Sequence, residues 1–108
     1  MKGWNVREME VEAHHPLVLD SADEGRLIVI ELPAGEELQE HRVHERAWLV
    51  VARGAIEIDD AEGETLGGAS GLVAEFSPNE VRTVRAVEDA RLLLLLSPWP
   101  GEGHPSRA

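Results

Sequence analysis

The sequence predicts an all-β fold, a small barrel or sandwich formed by one chain of 108 residues. Turn-forming groups of Gly, Pro, Asp, Asn and Ser recur along the chain, from Pro33 to Pro98. Between these groups lie short runs rich in Val, Ile and Leu. Closely spaced short strands of this kind are typical of β-sandwiches and small barrels. The length suits a single domain, residues 1–108, that buries one core.

Six segments are predicted as strands, in the chain order 26–32, 47–52, 55–58, 71–76, 81–87 and 90–97. Segments 55–58 and 81–87 alternate apolar with polar residues, as half-buried strands do. The run of five leucines at 92–96 is apolar on both faces. This run therefore predicts a central strand, or a strand covered on its second side by another subunit.

A helix competes with a strand at residues 36–47, because most of them are good helix formers. On a helix, His41 and His44 would be neighbours on one face. The turn signals of Pro33 and Gly35 just before this segment favour an extended conformation instead. From about residue 98, a tail rich in proline and glycine is expected to form an extended or mobile arm.

The composition narrows the classes of partner and cofactor. The formal net charge of −11 repels phosphate backbones and anionic lipids, so neither nucleic acid nor a membrane is expected as a partner. The chain has no cysteine, so a metal site would need His, Asp or Glu and would hold Mn, Fe, Ni or Zn. The polar N-terminal residues and the absence of a long apolar run predict a cytoplasmic protein.

The first of two sequence motifs begins at Gly35 and resembles that of the cupin family of small β-barrels. The family motif reads Gly, five residues, His-x-His, three or four residues, Glu, six residues, Gly. Gly35, His41 and Gly54 keep this spacing. Val43 falls at the second histidine and Ala47 at the glutamate. The resemblance implies a cupin-like double-stranded β-helix, or jelly-roll, barrel.

The second cupin motif reads Gly, five residues, Pro-x-Gly, two residues, His, three residues, Asn. Gly71 begins it, and Asn79 stands at the place of the later glycine. Asparagine tolerates the left-handed backbone that a turn glycine often adopts. Arg82 stands at the histidine and Ala86 at the asparagine. Of the four metal-ligand positions that the resemblance implies, His41 alone carries a ligand, so the metal site is expected to be degenerate.

Two hypotheses remain for the histidines. His41 and His44 are three residues apart, so in a regular strand they point to opposite sides, and a bulge at residues 42–43 would be needed to bring them together. With Glu45, they would then form a rearranged site for a divalent metal. Otherwise no cofactor is expected, His41 lies inside the barrel and His44 lies on the surface. The adjacent pair His14–His15 is expected in a solvated loop.

Arg82 is the second candidate for a site residue, because the cupin spacing points it into the barrel mouth. A guanidinium keeps its proton, so a buried one needs an anion. That anion is either an internal carboxylate, such as Glu45 or Glu75, or the carboxylate or phosphate of a ligand. In the second case His41 would be a neighbouring donor or general base. The ligand-binding candidates are therefore Arg82 and His41.

Trp48 has the opposite strand parity to Ala47, so it should face away from the barrel interior. An outward tryptophan favours a covered surface, either a homodimer interface or a contact with the N-terminal residues around Trp4. Arg85 and Arg91 are expected to be surface charges. Three functions therefore remain open: a binder of a small anionic ligand, a metal-dependent dioxygenase or isomerase, and a structural or regulatory dimer without a ligand.

Overall fold

The computed structural model describes residues 1–41 and 44–97, apart from the side chains of residues 39–41. Nine β-strands and no helix are present in these residues, so the all-β prediction is confirmed. In chain order the strands are β1 (Leu17–Ala22), β2 (Gly25–Leu32), β3 (Glu37–His41), β4 (Arg46–Arg53), β5 (Ala55–Asp60), β6 (Thr65–Ala69), β7 (Val73–Phe76), β8 (Arg82–Ala86) and β9 (Ala90–Ser97). The described residues contain no helix that is long and apolar enough to span a membrane. The predicted tail from residue 98 lies outside them.

The strands form two sheets in which every pairing is antiparallel. The larger sheet has the order β1-β2-β9-β4-β7, and the smaller has the order β3-β8-β5-β6. The leucine run forms β9 and pairs with β2 on one side and β4 on the other. The prediction of a central strand is therefore confirmed.

The core lies between the two sheets and is built by the alternation of residues along the strands. On β9, Leu92, Leu94 and Leu96 are buried and face the core, while Leu93 and Leu95 face the opposite side of the larger sheet. The smaller sheet contributes Ile56, Ile58, Val84 and Ala86. Apolar burial of this kind contributes about 25 cal/mol for each Å² removed from water, so this layer is the main source of stability.

The helix considered for residues 36–47 is not formed, because the segment pairs as an edge strand. In β3, Glu37 lies opposite Arg85 and Leu38 opposite Val84. Leu38 packs against the core, which an isolated helix propensity does not anticipate. Strand β6 was also not expected, since Gly67 and Gly68 resemble a turn. It is the edge strand of the smaller sheet.

The turn positions of both cupin motifs share a left-handed backbone. The φ angles are 83° at Gly35 and Gly54, 99° at Gly71 and 65° at Asn79. The expectation that Asn79 replaces a turn glycine is therefore confirmed. The motifs are thus kept as backbone geometry, although most of their metal ligands are replaced.

Residues 1–16, which we call the N-terminal segment, are tied to the outer face of the larger sheet by Arg91. The Arg91 guanidinium donates to the carbonyl oxygens of Val6 at 2.7 Å and Met9 at 2.8 Å. Its Nε donates to Glu31 at 2.7 Å. The Arg91 side chain is only 5% exposed, so the prediction of a surface charge is wrong. The reason is tertiary, since the covering residues come from the other end of the chain.

Candidate functional site

Arg82 is the first residue of β8 and points into the interior between the sheets. Its backbone pairs with His41 of β3 on one side and with Asp60 of β5 on the other. It shares a strand face with Val84, which lies in the core, and it is 6% exposed. The register therefore places a buried cation at the end of the barrel where β3, β5 and β8 meet.

The ring of Phe76 packs against the Arg82 guanidinium. The central carbon of the guanidinium lies 4.5 Å from the centroid of the phenylalanine ring. Phe76 is buried on the inner face of β7, at the edge of the larger sheet, and it is the single phenylalanine of the chain. A cation over an aromatic face contributes about 0.5 to 2 kcal/mol when water is excluded. The contact therefore joins the two sheets.

Burial of Arg82 disfavours the charged form of its guanidinium. Burial lowers the pKa of Arg82 below its ordinary value, and the nearby carboxylate of Glu80 partly opposes this effect. An arginine side chain nevertheless remains protonated at physiological pH. The barrel therefore holds a permanent positive charge that is largely shielded from water. We call the interior site formed by the side chains of Arg82 and Phe76 the arginine chamber.

The two carboxylates expected as internal partners have different positions. Glu75 lies on the outer face of the larger sheet, opposite Trp48, and its Oε2 accepts a hydrogen bond from Arg46 at 3.1 Å. Its expected role as a partner of Arg82 is therefore wrong, because successive residues of a strand face opposite ways. Glu45 directly precedes β4 and is 5% exposed.

Two of the four residues at the cupin metal-ligand positions, Ala47 and Arg82, do not suit a divalent cation. Ala47 is fully buried and offers no donor, and Arg82 brings a positive charge to the place of a ligand. His44 is exposed, whereas its neighbour Glu45 is buried. The side chain of His41 and the hypothesised bulge at residues 42–43 lie outside the described part of the chain. Within that part, no three His, Asp or Glu side chains are grouped to hold a metal.

Phe76 is the site residue that the sequence reasoning did not identify. A usable signal was present, because in the predicted segment 71–76 Phe76 has the opposite strand parity to the charged Glu75. That parity places its ring inside the barrel. The contact with Arg82 could not be predicted, since it joins strands of different sheets.

Three solved structures, two of them cupin proteins, are similar to this chain over about nine tenths of its length. An RmlC-like cupin protein from Desulfovibrio desulfuricans is 21% identical, with a TM-score of 0.81 over 91% of this chain and 97% of that chain. An RmlC-like cupin family protein with a double-stranded β-helix fold from Methanocaldococcus jannaschii is 17% identical, with a TM-score of 0.72 over 93% and 91%. A conserved protein of unknown function from Streptococcus pyogenes is 23% identical, with a TM-score of 0.75 over 93% and 89%.

The sequence itself matches no family model and no curated protein. The likeness to the three structures therefore shows the fold. The chain has the double-stranded β-helix fold of the cupins, and the fold class predicted from the motif spacing is confirmed.

Proposed function

We propose that this cupin-fold protein binds a small anionic ligand in the barrel, with Arg82 as the anion-binding residue. The observation that carries the proposal is the burial of Arg82 against Phe76, at 6% exposure. The planar guanidinium carries five N–H donors, which suit a carboxylate or phosphate and can serve a protein group and a ligand together. His41 is the proposed neighbouring donor or general base, because its backbone pairs with Arg82.

The net charge of −11 repels an anionic ligand in solution, but this repulsion is weak once the ligand is close to Arg82. Charges on the protein surface are screened over about 8 Å at physiological salt. Inside the barrel, water is largely excluded and the attraction between an anion and Arg82 is several times stronger than in bulk solvent. The acidic surface therefore slows the approach of an anion, while the arginine chamber decides whether it stays.

Replacement of Arg82 by methionine is expected to abolish this binding. Methionine keeps an unbranched apolar chain for packing against Phe76 but removes every donor, and hydrogen bonds to charged groups contribute about 1.5 to 3 kcal/mol. We therefore expect affinity for the best small acid to fall at least about tenfold. Calorimetric titration of the parent and of Arg82→Met with phosphate, malonate and succinate measures this. Arg85→Met, on the same strand but half-exposed, is the matched control.

The three functional hypotheses give different results in this experiment. Equal binding of the acids by the parent and Arg82→Met contradicts the proposal. Near-stoichiometric Mn, Fe, Ni or Zn in untagged protein, lost in both His41→Ala and His44→Ala, would favour the metal-dependent enzyme. A stable dimer that binds none of the acids and no metal would favour the structural or regulatory module.

The larger sheet carries an apolar outer surface that we propose as a homodimer interface. We call it the outer patch; it consists of Leu27, Trp48, Val50, Val73, Leu93 and Leu95. Trp48 lies opposite Leu95 and Glu75 in register, on the face away from the buried Ala47. Its six members are apolar, and the Arg46–Glu75 ion pair lies beside Trp48 on the same face, so a second copy would meet apolar surface and one internally paired set of charges. The N-terminal segment is bound at Arg91, and Val29, which lies opposite Leu93 on the same face, is already fully buried within one chain.

Substitution of Trp48 by glutamate is expected to produce a monomer. A buried unpaired carboxylate on each side of a two-fold interface costs several kcal/mol, which exceeds what a small dimer can lose. Sedimentation velocity over a concentration series measures the change. Val87→Glu is the control, because Val87 is 52% exposed and lies outside the patch. A parent protein that is already monomeric at every concentration, or a control that dissociates equally, rejects this interface.

The charge and the cysteine content support a proposal about partners and cellular location. A surface with a net charge of −11 makes nucleic acid and anionic membranes poor partners. A chain without cysteine gains nothing from an oxidising compartment. We therefore propose a cytoplasmic binder of small molecules.

A further inference from the structure

A cleft with a volume of about 580 Å³ lies between the N-terminal segment and the corner where β2 leads into β3. It is lined by residues 14–16, 30–32 and 36–38. Neither Arg82 nor Phe76 lines it, so it is separate from the arginine chamber. The volume is within the range of roughly 300 to 1,000 Å³ that is common for small-molecule sites.

The floor of the cleft is apolar. Ile30 and Leu32 come from the inner face of β2, and Leu38 comes from the inner face of β3. The cleft is therefore the seam at which the edges of the two sheets separate. Leu38 is only partly buried there, so an apolar ligand group can cover surface that the fold itself leaves open.

One wall of the cleft offers backbone hydrogen-bonding groups. Strand β1 begins at Leu17, opposite Val29, and so does not reach residues 30–32 of β2. These residues pair with β9 through Ile30 opposite Leu92 and Leu32 opposite Ala90. In the part of the chain that the structure describes, no strand pairs with their other edge, which is free to bind a polar group.

The rim of the cleft is negatively charged. Nε2 of His14 lies 2.9 Å from Oε1 of Glu36, and His14 holds a left-handed φ of 68° in this position. Glu37 also borders the cleft, but it has the opposite strand parity to Leu38 and lies opposite Arg85, which binds Glu57 at 2.6 Å, so Glu36 supplies the carboxylate of the rim. The rim thus repels anions and favours a positively charged group.

We propose that this cleft binds a small primary amine with an alkyl body. The ammonium group has three donors and no acceptor, which matches the Glu36 carboxylate together with backbone carbonyl oxygens. The alkyl body lies over Leu38 and Leu32. The amine replaces His14 as the partner of Glu36, so the two residues affect binding in opposite directions. Removing Glu36 weakens binding, and removing His14 strengthens it.

The test is a titration of isotope-labelled full-length protein with hexylamine, hexanoate and hexanol, followed by NMR chemical shifts. Hexylamine is expected to shift the amide signals of residues 14–15, 30–32 and 36–38, and the other two probes are not. Glu36→Gln should weaken hexylamine binding at least about fivefold, because it removes a charge-assisted hydrogen bond. His14→Ala should strengthen it. Glu64→Gln, which removes the same charge from the exposed turn before β6, should leave it unchanged.

Two results overturn the proposal. If Glu36→Gln and Glu64→Gln weaken hexylamine binding equally, the amine is only attracted to an acidic surface. If hexanol shifts the same signals with the same affinity, the cleft recognises the alkyl chain and not the amine. Neither result bears on the arginine chamber, which is tested with acids and through a different residue.

Discussion

The Gly54→Ala variant is expected to lose at least about 3 kcal/mol of its free energy of unfolding, the largest effect of any single methyl group in this chain. Gly54 has a φ of 83°, a conformation that costs an alanine about 1 to 2 kcal/mol. A Cβ at this position would also collide with the carbonyl oxygen of Asp89 and lie 2.8 Å from the Cα of Ala90. Both neighbours are backbone atoms, so relief requires movement of the chain before β9.

The effect of this clash can be separated from the backbone strain. Gly63 has a φ of 89°, and a Cβ there would meet no atom within 4 Å. Gly63→Ala should therefore lose only the conformational cost of about 1 to 2 kcal/mol. Urea denaturation followed by tryptophan fluorescence gives both values. Equal losses in the two variants would mean that the approach of residues 89–90 to Gly54 is not a constraint on the fold.

The close approach has a structural purpose. Gly54 joins β4 of the larger sheet to β5 of the smaller one. Asp89, which lies against it, directly precedes β9 and accepts a hydrogen bond from the backbone N–H of Ala34 at 2.8 Å. Three chain segments therefore meet at one corner, and a residue without a side chain is required where they touch.

The Arg91→Met variant is expected to have the second-largest effect, a loss of about 3 kcal/mol, because breaking a buried charge network leaves its partners without compensation. Glu31, whose side chain is 18% exposed, would keep only Arg53 as a partner. The carbonyl oxygens of Val6 and Met9 would lose their donor. Chemical denaturation measures the stability, and limited proteolysis of the first 16 residues measures the release of the N-terminal segment.

Arg85→Met is the appropriate comparison for Arg91→Met. The Arg85 side chain is 38% exposed and binds Glu57 at 2.6 Å. An ion pair with this exposure contributes about 0 to 1 kcal/mol, so its removal should leave both stability and protease resistance almost unchanged. If the two variants are equally mild, the burial of Arg91 is not coupled to the position of the N-terminal segment.

These two arginines also show how far the sequence could predict the fold. Both lie in predicted strands, Arg85 in 81–87 and Arg91 in 90–97, and both were expected on the surface. Arg85 is half-exposed, but Arg91 is buried by residues more than 80 positions earlier. Periodicity shows which face of a strand is apolar, but not which distant segment covers the other face.

Some strands could be predicted from their own residues and others could not. The leucines of β9 and the alternating residues of β5 and β8 were predictable, because their burial follows from their own pattern. Strand β3 is made of helix formers and is extended only because β8 lies beside it. In β6, Gly67 and Gly68 resemble a turn until their pairing with β5 is known. Edge strands are held by partners, so their own residues indicate them weakly.

The candidate site was partly predictable as well. Counting from Gly71 placed Arg82 correctly on the inward face of β8, because the left-handed turn at Asn79 keeps the cupin spacing. The same count could not show the ring of Phe76, which belongs to the other sheet. The rim of the amine cleft could not be predicted from the sequence either, because the contact between His14 and Glu36 joins residues that belong to no common motif.

The central position of β9 has a consequence for how the chain folds. Among the strands that the structure describes, β9 is the last in sequence, yet it alone connects the pair β1–β2 with the pair β4–β7. Without residues 90–97, the pairs β1–β2 and β4–β7 have no strand to join them, and the edges of β2 and β4 that face β9 lack a partner. Pairing Glu31 with Arg91 closes a loop of 60 residues, so the final step is slow compared with hairpin formation. A chain that has not yet added β9 is therefore expected to aggregate more readily than the complete sheet.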